Sequence, residues 1–125
     1  MKLLLDTHAL LWWLEDHPRL GATARQYIAD RGNLVYFSAA SVWEASIKEA
    51  KGLLRLGEEF DRKLAAEPLL PLPVTHQYAR KAAALPRLHK DPFDRMLVAQ
   101  CALDGMTLIT HDALLAGYGI PLVEA

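Results

Sequence analysis

Residues 3–14 read LLLDTHALLWWL, and the fold is predicted from the unit that they contain. Leu3–Leu5 form a short apolar run, which is typical of a buried strand, and Asp6 ends that run. The following residues, His8 to Glu15, are apolar on most sides and predict a buried helix with Asp6 or Thr7 as its N-cap. The stretch therefore predicts a strand that passes directly into a helix, with an acidic residue at the junction.

The same alternation of short apolar runs and longer helical patterns continues along the chain. Further strands are predicted at Leu34–Phe37, Met106–Thr110 and Ile120–Val123, with a short edge strand at best in the proline-containing stretch Leu69–Val74. Helices are predicted at Thr23–Arg31, Ser38–Lys51, Glu58–Glu67, His76–Leu85 and Pro92–Leu103, with one more short helix starting at Asp112. Because the connections between strands are long, we expect an α/β fold with a parallel sheet covered on both faces.

Length and composition set limits on the kind of protein this is. The chain has 125 residues, which fits a single domain over residues 1–125. Hydrophobic residues make up 52% of it, so it can bury a core and is not a disordered chain. The 14 basic and 15 acidic residues give a net charge of -1. This balance excludes a polycation that coats nucleic acid, and any nucleic-acid contact must use a local patch.

A single cysteine, Cys101, excludes an internal disulfide framework and a cysteine-rich zinc site. No stretch approaches the roughly 20 apolar residues that a helix needs to cross a bilayer. The first residues lack the apolar core of a signal peptide, because Asp6 interrupts the leucine run. We therefore expect a soluble, cytoplasmic protein that does not contact a membrane.

Acidic residues stand at the ends of predicted strands or at the starts of predicted helices. Asp6 and Asp112 follow two strands, and Glu44 lies early in the helix after another. Asp91 and Asp94 begin the helix that precedes the strand MTLIT. Sites in parallel α/β sheets collect outside the carboxyl ends of the strands, so these acids are predicted to share one rim.

Helix capping is a competing interpretation for the same acids. Asp6 can cap the first helix, and Asp91 before Pro92 is a good N-cap, which for Asp91 is the favoured role. Ser41 and Glu44 have the spacing of a capping box. Taken singly, none of these acids requires a functional explanation.

The combination of acids is harder to explain by capping alone. Asp6 and Glu44 lie among apolar and aromatic neighbours, and a buried carboxylate costs several kcal/mol unless it is paired or binds a cation. Clustered carboxylates also repel one another until a proton or a cation relieves the repulsion. Oxygen ligands favour Mg²⁺ or Mn²⁺ over zinc, and such ions work with phosphates. Phosphodiester hydrolysis is therefore the predicted chemistry.

Four segments in this order and spacing resemble a known family. They are LLLDTHALLWWL at residues 3–14, SAASVWEASIK at 38–48, HKDPFDRMLVAQCAL at 89–103 and LITHDALL at 108–115. The sequence resembles the PIN domain, and within it the VapC-type ribonuclease toxins of type II toxin–antitoxin systems. The resemblance covers nearly the whole chain.

The resemblance implies a fold, an activity and partners. The fold would be a three-layer α/β/α domain with a small central parallel sheet. The protein would be an endoribonuclease that cuts RNA, forms a homodimer and is held inactive by a cognate antitoxin. The catalytic, metal-binding acids of the family match Asp6, Glu44, Asp94 and Asp112, which would bind Mg²⁺ or Mn²⁺. Accessory positions of the family match Asp91 and Thr110.

An acidic site repels phosphate, so nearby basic residues are candidates for substrate binding. Lys48 lies on the helix after Glu44, and Lys90 and Arg95 flank the acids of the DPFD segment. We expect Arg95 to be the strongest candidate for an RNA phosphate contact, with pairing to an acid as its alternative. The three tryptophans are expected to pack in the core or at an interface rather than to stack on bases.

Two other functions remain open from the sequence. Asp6-Thr7-His8 superficially resembles the start of a metal-dependent amidohydrolase, but residue 10 is leucine where that class has a second histidine, and the chain is too short for the barrel. The other alternative is a catalytically inactive PIN-like module that binds protein or RNA. The complete set of acids argues against it.

Overall fold

The computed structural model describes residues 1–125 and contains five strands, six α-helices and one 3₁₀ helix. The strands are β1 (Lys2–Leu5), β2 (Leu34–Ser38), β3 (Leu70–Leu72), β4 (Thr107–Thr110) and β5 (Leu122–Glu124). The α-helices are α1 (Thr7–Leu14), α2 (Ala22–Ala29), α3 (Ala39–Ala50), α4 (Phe60–Ala66), α5 (His76–Ala84) and α6 (Pro92–Asp104). The 3₁₀ helix spans Ala113–Tyr118 between β4 and β5.

All five strands are parallel and lie in the order β3-β2-β1-β4-β5. The apolar run after Met1 forms the central strand, in which Leu4 pairs with Tyr36 on one side and Leu108 on the other. The proline-containing segment forms only the three-residue edge strand β3, as predicted, since proline cannot donate to a ladder. The predicted α/β class with a central parallel sheet is confirmed.

Helices cover both faces of this sheet because the strand side chains alternate between them. Leu3 and Leu5 pack with residues of α1 and α2, whereas Leu4 packs with Leu97 and Val98 of α6. These leucines are fully buried. The result is a three-layer α/β/α arrangement with one apolar cluster on each side of the sheet.

Several predicted boundaries shift in the structure. The last strand begins at Leu122 instead of Ile120, and Pro121 just before it has no N–H for a ladder. The short helix after Asp112 is a 3₁₀ helix. The capping-box interpretation of Ser41 is wrong, because α3 begins three residues earlier and Ser38 accepts the N–H of Ala40 as its N-cap.

Helix α6 follows its sequence signals closely. Asp91 is the N-cap, and its Oδ1 accepts the backbone N–H groups of Phe93 at 2.8 Å and Asp94 at 3.2 Å. Pro92 occupies the first helical position, where no N–H is needed. Gly105 ends the helix with a φ of 63°, a left-handed conformation that glycine adopts without strain. These signals fix Asp94 in the first turn, at the carboxyl edge of the sheet.

Candidate metal centre

A polar cavity of about 400 Å³ lies at the carboxyl edge of the sheet, where β1, α3, α6 and β4 come together. No hydrophobic residue lines it. Its walls are formed by Asp6, Thr7, His8, Glu44, Lys48, His89, Asp91, Asp94, His111 and Asp112. The predicted acids are thus brought together, and Lys48 is the single lysine or arginine among them.

The first of these acids, Asp6, both caps a helix and faces the cavity. It is buried, and its Oδ1 accepts the N–H of Ala9 at 2.7 Å, which makes it the N-cap of α1. Its other oxygen, Oδ2, lies 3.9 Å from Nδ1 of His111. Burial raises the pKa of Asp6, although the Thr110 side chain and the Ala9 N–H lower it in part. No lysine or arginine pairs with this carboxylate.

Glu44 is buried on the inner face of α3. The Thr7 hydroxyl donates to its Oε1 at 2.6 Å, and Lys48, one turn later on the same helix, lies 3.0 Å from its Oε2. A glutamate at this depth needs such partners, because an unpaired buried carboxylate is costly. Glu44 therefore does not serve α3 as a capping residue, and its carboxylate is oriented by α1.

Asp94 is a partly buried acid with other carboxylates around it. Its pKa is raised to about 7, first by burial and then by Asp91, with smaller contributions from Asp6 and Glu44, whereas His89 lowers it in part. The raised pKa therefore reflects first the burial of this carboxylate and second the neighbouring acids, chiefly Asp91.

Asp112 resembles Asp6 in using its two oxygens differently. Its Oδ1 accepts the N–H of Leu114 and caps the 3₁₀ helix, while its Oδ2 lies 3.0 Å from Nε2 of His89. The same imidazole nitrogen is 3.6 Å from Oδ2 of Asp94. Thr110, the buried last residue of β4, accepts the N–H of Asp112 at 3.1 Å and so fixes the backbone at this point.

The donor set of the cavity fits a hard divalent cation. Five carboxylates face one lysine, and the carboxylate ligand atoms of Asp94 and Asp112 lie within 4.8 Å of each other. Carboxylate oxygens are the ligands that Mg²⁺ and Mn²⁺ prefer, and a cation would relieve the repulsion that raises the pKa of Asp94. The residues present therefore fit the metal that the sequence resemblance implies.

The three basic residues predicted to bind substrate have different surroundings. Lys48 lines the acidic cavity, and Lys90 is exposed on the groove that continues from it past Asp91. Arg95 differs from the expectation. Its guanidinium donates to the carbonyl oxygens of residues 82, 85, 86 and 89 and to the Tyr118 hydroxyl, at 2.8–3.4 Å. The N–H donors of Arg95 are therefore occupied by the protein itself. They link α5, the loop after it and the 3₁₀ helix.

A larger cavity of about 470 Å³ lies elsewhere and has another character. Seven of its twelve lining residues are hydrophobic, among them Trp13, Val35 and Leu69. It contains none of the acids that face the polar cavity, so the candidate chemistry belongs to the smaller cavity.

Sequence comparison with known families agrees with this geometry. Residues 3–119 match the family described as PIN domain, which is most of the chain. The chain belongs to the PIN domain family. Among curated proteins, none matches the sequence.

Solved structures share the fold of this PIN domain at low sequence identity. VapBC2 from Rickettsia felis, bound to a DNA fragment from its promoter, has a TM-score of 0.72 with 13% identity and covers 98% of both chains. DNA-bound VapBC from Salmonella typhimurium has a TM-score of 0.69 with 18% identity over 98% of this chain and 97% of that one. FitAcB from Neisseria gonorrhoeae has a TM-score of 0.61 with 18% identity over 98% and 96%. Helices long and apolar enough to cross a membrane are not found in this PIN domain.

Sequence reasoning did not identify every residue that shapes the site of this PIN domain. In the sequence His89 is only a basic residue near Asp91, and Thr7 is predicted only as a possible helix cap. Their contacts join segments far apart in the chain, since Thr7 reaches Glu44 and His89 reaches Asp112. The only local signal for His89 is its position two residues before the capping Asp91.

The aromatic residues also depart in part from expectation. Trp12 is buried against the sheet, as expected. Trp43, directly before Glu44, is 65% exposed and meets Phe93, directly before Asp94, edge to face with ring centres 5.4 Å apart. The prediction of core packing is therefore wrong for Trp43, and packing at an interface with another protein chain stays the prediction for this residue.

Proposed function

We propose that this PIN domain is a metal-dependent endoribonuclease and the toxin of a type II toxin–antitoxin system. The observation that carries the proposal is the polar cavity in which Asp6, Glu44, Asp94 and Asp112 converge with one lysine. Family membership and the likeness to VapBC and FitAcB structures support it. In this proposal the four acids hold Mg²⁺ or Mn²⁺, with Asp91 and Thr110 as accessory residues.

The bound ion would supply an activated water and neutralise charge on the phosphodiester that is hydrolysed. The chain's own residues prepare the site for that chemistry. Asp6 and Asp112 each use one oxygen for a helix cap and leave the other for the cavity, so their side chains are held in place. Thr7 orients Glu44 through its hydroxyl. These contacts position the carboxylates before substrate arrives.

Lys48 and Lys90 are proposed to contact RNA phosphates. An acidic cavity repels a polyanion. Lys48, whose Nζ lies 3.0 Å from Oε2 of Glu44, offsets part of the negative charge of the cavity. Lys90 lies on the same rim and is exposed. Arg95, which the sequence favoured for this role, is excluded from the proposal because the protein itself occupies its guanidinium.

The proposal of protein partners rests on large apolar side chains that are exposed on the surface of this small domain. Trp43 is 65% exposed and Leu53 70% exposed, which suits contacts with a second copy of the chain and with an antitoxin. The structural relatives include complexes named VapBC and FitAcB. We propose a homodimer that acts on cytoplasmic RNA and is inhibited by its antitoxin.

Incubation of the purified protein with single-stranded RNA, with and without Mn²⁺, tests the enzyme proposal. Cleavage is expected to need the metal, to stop in EDTA and to be lost in Asp6→Asn. Asp61→Asn, an exposed acid on α4, is the matched control and should cleave normally. Equal cleavage in EDTA would refute the metal mechanism. RNA binding without cleavage under any metal condition would favour the inactive binding module.

A further inference from the structure

The imidazole of His89 lies between two of the acids, in the place that a metal ligand could occupy. Its Nε2 is 3.0 Å from Oδ2 of Asp112 and 3.6 Å from Oδ2 of Asp94. The three residues could be interpreted as a mixed nitrogen and oxygen metal site, because their ligand atoms lie within 4.8 Å of one another. The opposite side of the ring argues against that interpretation.

The second ring nitrogen of His89 determines which atom carries the proton. Nδ1 accepts the backbone N–H of Asp91 at 3.1 Å, so its lone pair is used and it carries no proton. A neutral imidazole with a bare Nδ1 has its proton on Nε2. That proton points toward Asp112, where a carboxylate oxygen accepts it. A protonated Nε2 has no lone pair left for a metal ion.

The backbone of His89 is held from both sides, which keeps the ring in this orientation. Its N–H donates to the Tyr118 hydroxyl at 2.9 Å, and its carbonyl oxygen accepts from Arg95 at 3.4 Å. Arg95 also donates to the Tyr118 hydroxyl at 3.3 Å. The guanidinium and the phenol therefore fix the loop on which the imidazole stands.

We propose that His89 is a positioning residue, whose Nε2–H holds the carboxylate of Asp112, and at longer range that of Asp94, toward the cavity without ligating the ion. The inference rests on the proposed function, in which these acids bind a divalent cation. Hydrogen-bond donors behind metal ligands typically change metal affinity by 10–100-fold. His89 is expected to act on Mn²⁺ affinity in that range, through the orientation of its two acids.

Mn²⁺ titration of the metal-free protein, followed by EPR, tests the proposal with the metal alone as probe. His89→Ala is expected to weaken Mn²⁺ binding by about 10–100-fold. His89→Gln, whose amide can donate to Asp112, is expected to recover part of the loss. Tyr118→Phe removes the acceptor for the His89 N–H and should weaken binding in the same direction without altering the imidazole. His76→Gln, at the exposed start of α5, is the control and should bind as the wild type does.

Two spectroscopic readouts separate positioning from ligation. Nitrogen NMR of the metal-free protein is expected to show His89 as the Nε2-protonated tautomer. Pulsed EPR of the Mn²⁺-loaded wild type is expected to show no nitrogen of His89 bound directly to the ion. A directly bound nitrogen that is present in the wild type and absent from His89→Ala would be the sign of ligation. Such a nitrogen signal, an Nδ1-protonated ring, or unchanged affinity in His89→Ala would each overturn the inference while leaving the proposed metal site standing. A wild type that does not bind Mn²⁺ would instead refute the proposed function and this inference with it.

Discussion

Replacement of Asp94 by asparagine is expected to stabilise the metal-free protein. Burial and neighbouring acids raise the pKa of Asp94 from 3.8 to about 7, so ionising this group is far less favourable in the folded chain than in the unfolded one. Between pH 4 and 7 the folded state binds more protons than the unfolded state does. The free energy of unfolding should therefore fall as pH rises through this window, and the stability present below it is lost above pH 7.

The size of the effect follows from the pKa difference. Each unit corresponds to about 1.4 kcal/mol, so a shift of about three units sets an upper limit of about 4 kcal/mol above pH 7. The side chain is 26% exposed, and solvent screening reduces that limit. We expect Asp94→Asn to raise the free energy of unfolding by about 2 kcal/mol at about pH 8 and by about 1 kcal/mol at about pH 5.5.

Urea denaturation of metal-free protein at these two pH values measures the effect, with Asp61→Asn on α4 as the control for removal of an exposed acid. The difference between Asp94→Asn and the wild type isolates Asp94, because the two proteins share every other titratable group. Saturating Mn²⁺ should stabilise the wild type but not the variant, because the variant lacks a ligand. A destabilised Asp94→Asn, or an advantage that does not grow with pH, would refute the argument that burial and neighbouring acids disfavour the ionised Asp94.

Three further predictions concern residues around the acids. Thr7→Val removes the donor to Glu44 and should weaken Mn²⁺ binding about tenfold, as measured by calorimetry, whereas Thr7→Ser should bind as the wild type does. Equal losses of affinity in both variants would contradict the role of the hydroxyl. Arg95→Lys should lower the free energy of unfolding by about 2–4 kcal/mol in urea, because a lysine cannot replace five guanidinium contacts, and a change within 0.5 kcal/mol would argue against the clamp. Lys48→Met should lower the slope of log K against log salt concentration for RNA binding by about one phosphate contact, whereas Lys63→Met on α4 should leave that slope unchanged. A wild-type slope in Lys48→Met would rule out the contact.

The position of the site could be predicted from the sequence because it depends on local signals and one rule of topology. Asp6 and Asp112 come just after apolar runs that proved to be β1 and β4. Parallel pairing brings the carboxyl ends of such strands to one edge. Asp91 and Pro92 likewise marked the start of α6, which places Asp94 at that edge. No distant contact had to be known for these predictions.

The role of Arg95 could not be predicted in the same way. Its contacts depend on how α5, the loop after it and the 3₁₀ helix meet, and none of these contacts has a signature in the neighbouring sequence. Adjacency to Asp94 suggested a phosphate or a carboxylate partner. The fold instead directs the guanidinium at carbonyl oxygens in the last turn of α5 and in the loop after it.

Helix capping and metal binding, which appeared to be competing interpretations of the acids, are compatible in the structure. Asp6 and Asp112 each give Oδ1 to a backbone N–H and keep Oδ2 toward the cavity. A cap fixes the carboxylate rotamer with a hydrogen bond that exists without the ion. The side chain therefore loses its conformational entropy when the chain folds, and metal binding does not have to order it. Strand ends followed at once by capped helices thus place rigid carboxylates at one sheet edge, where mutual repulsion is relieved by a proton or a divalent cation.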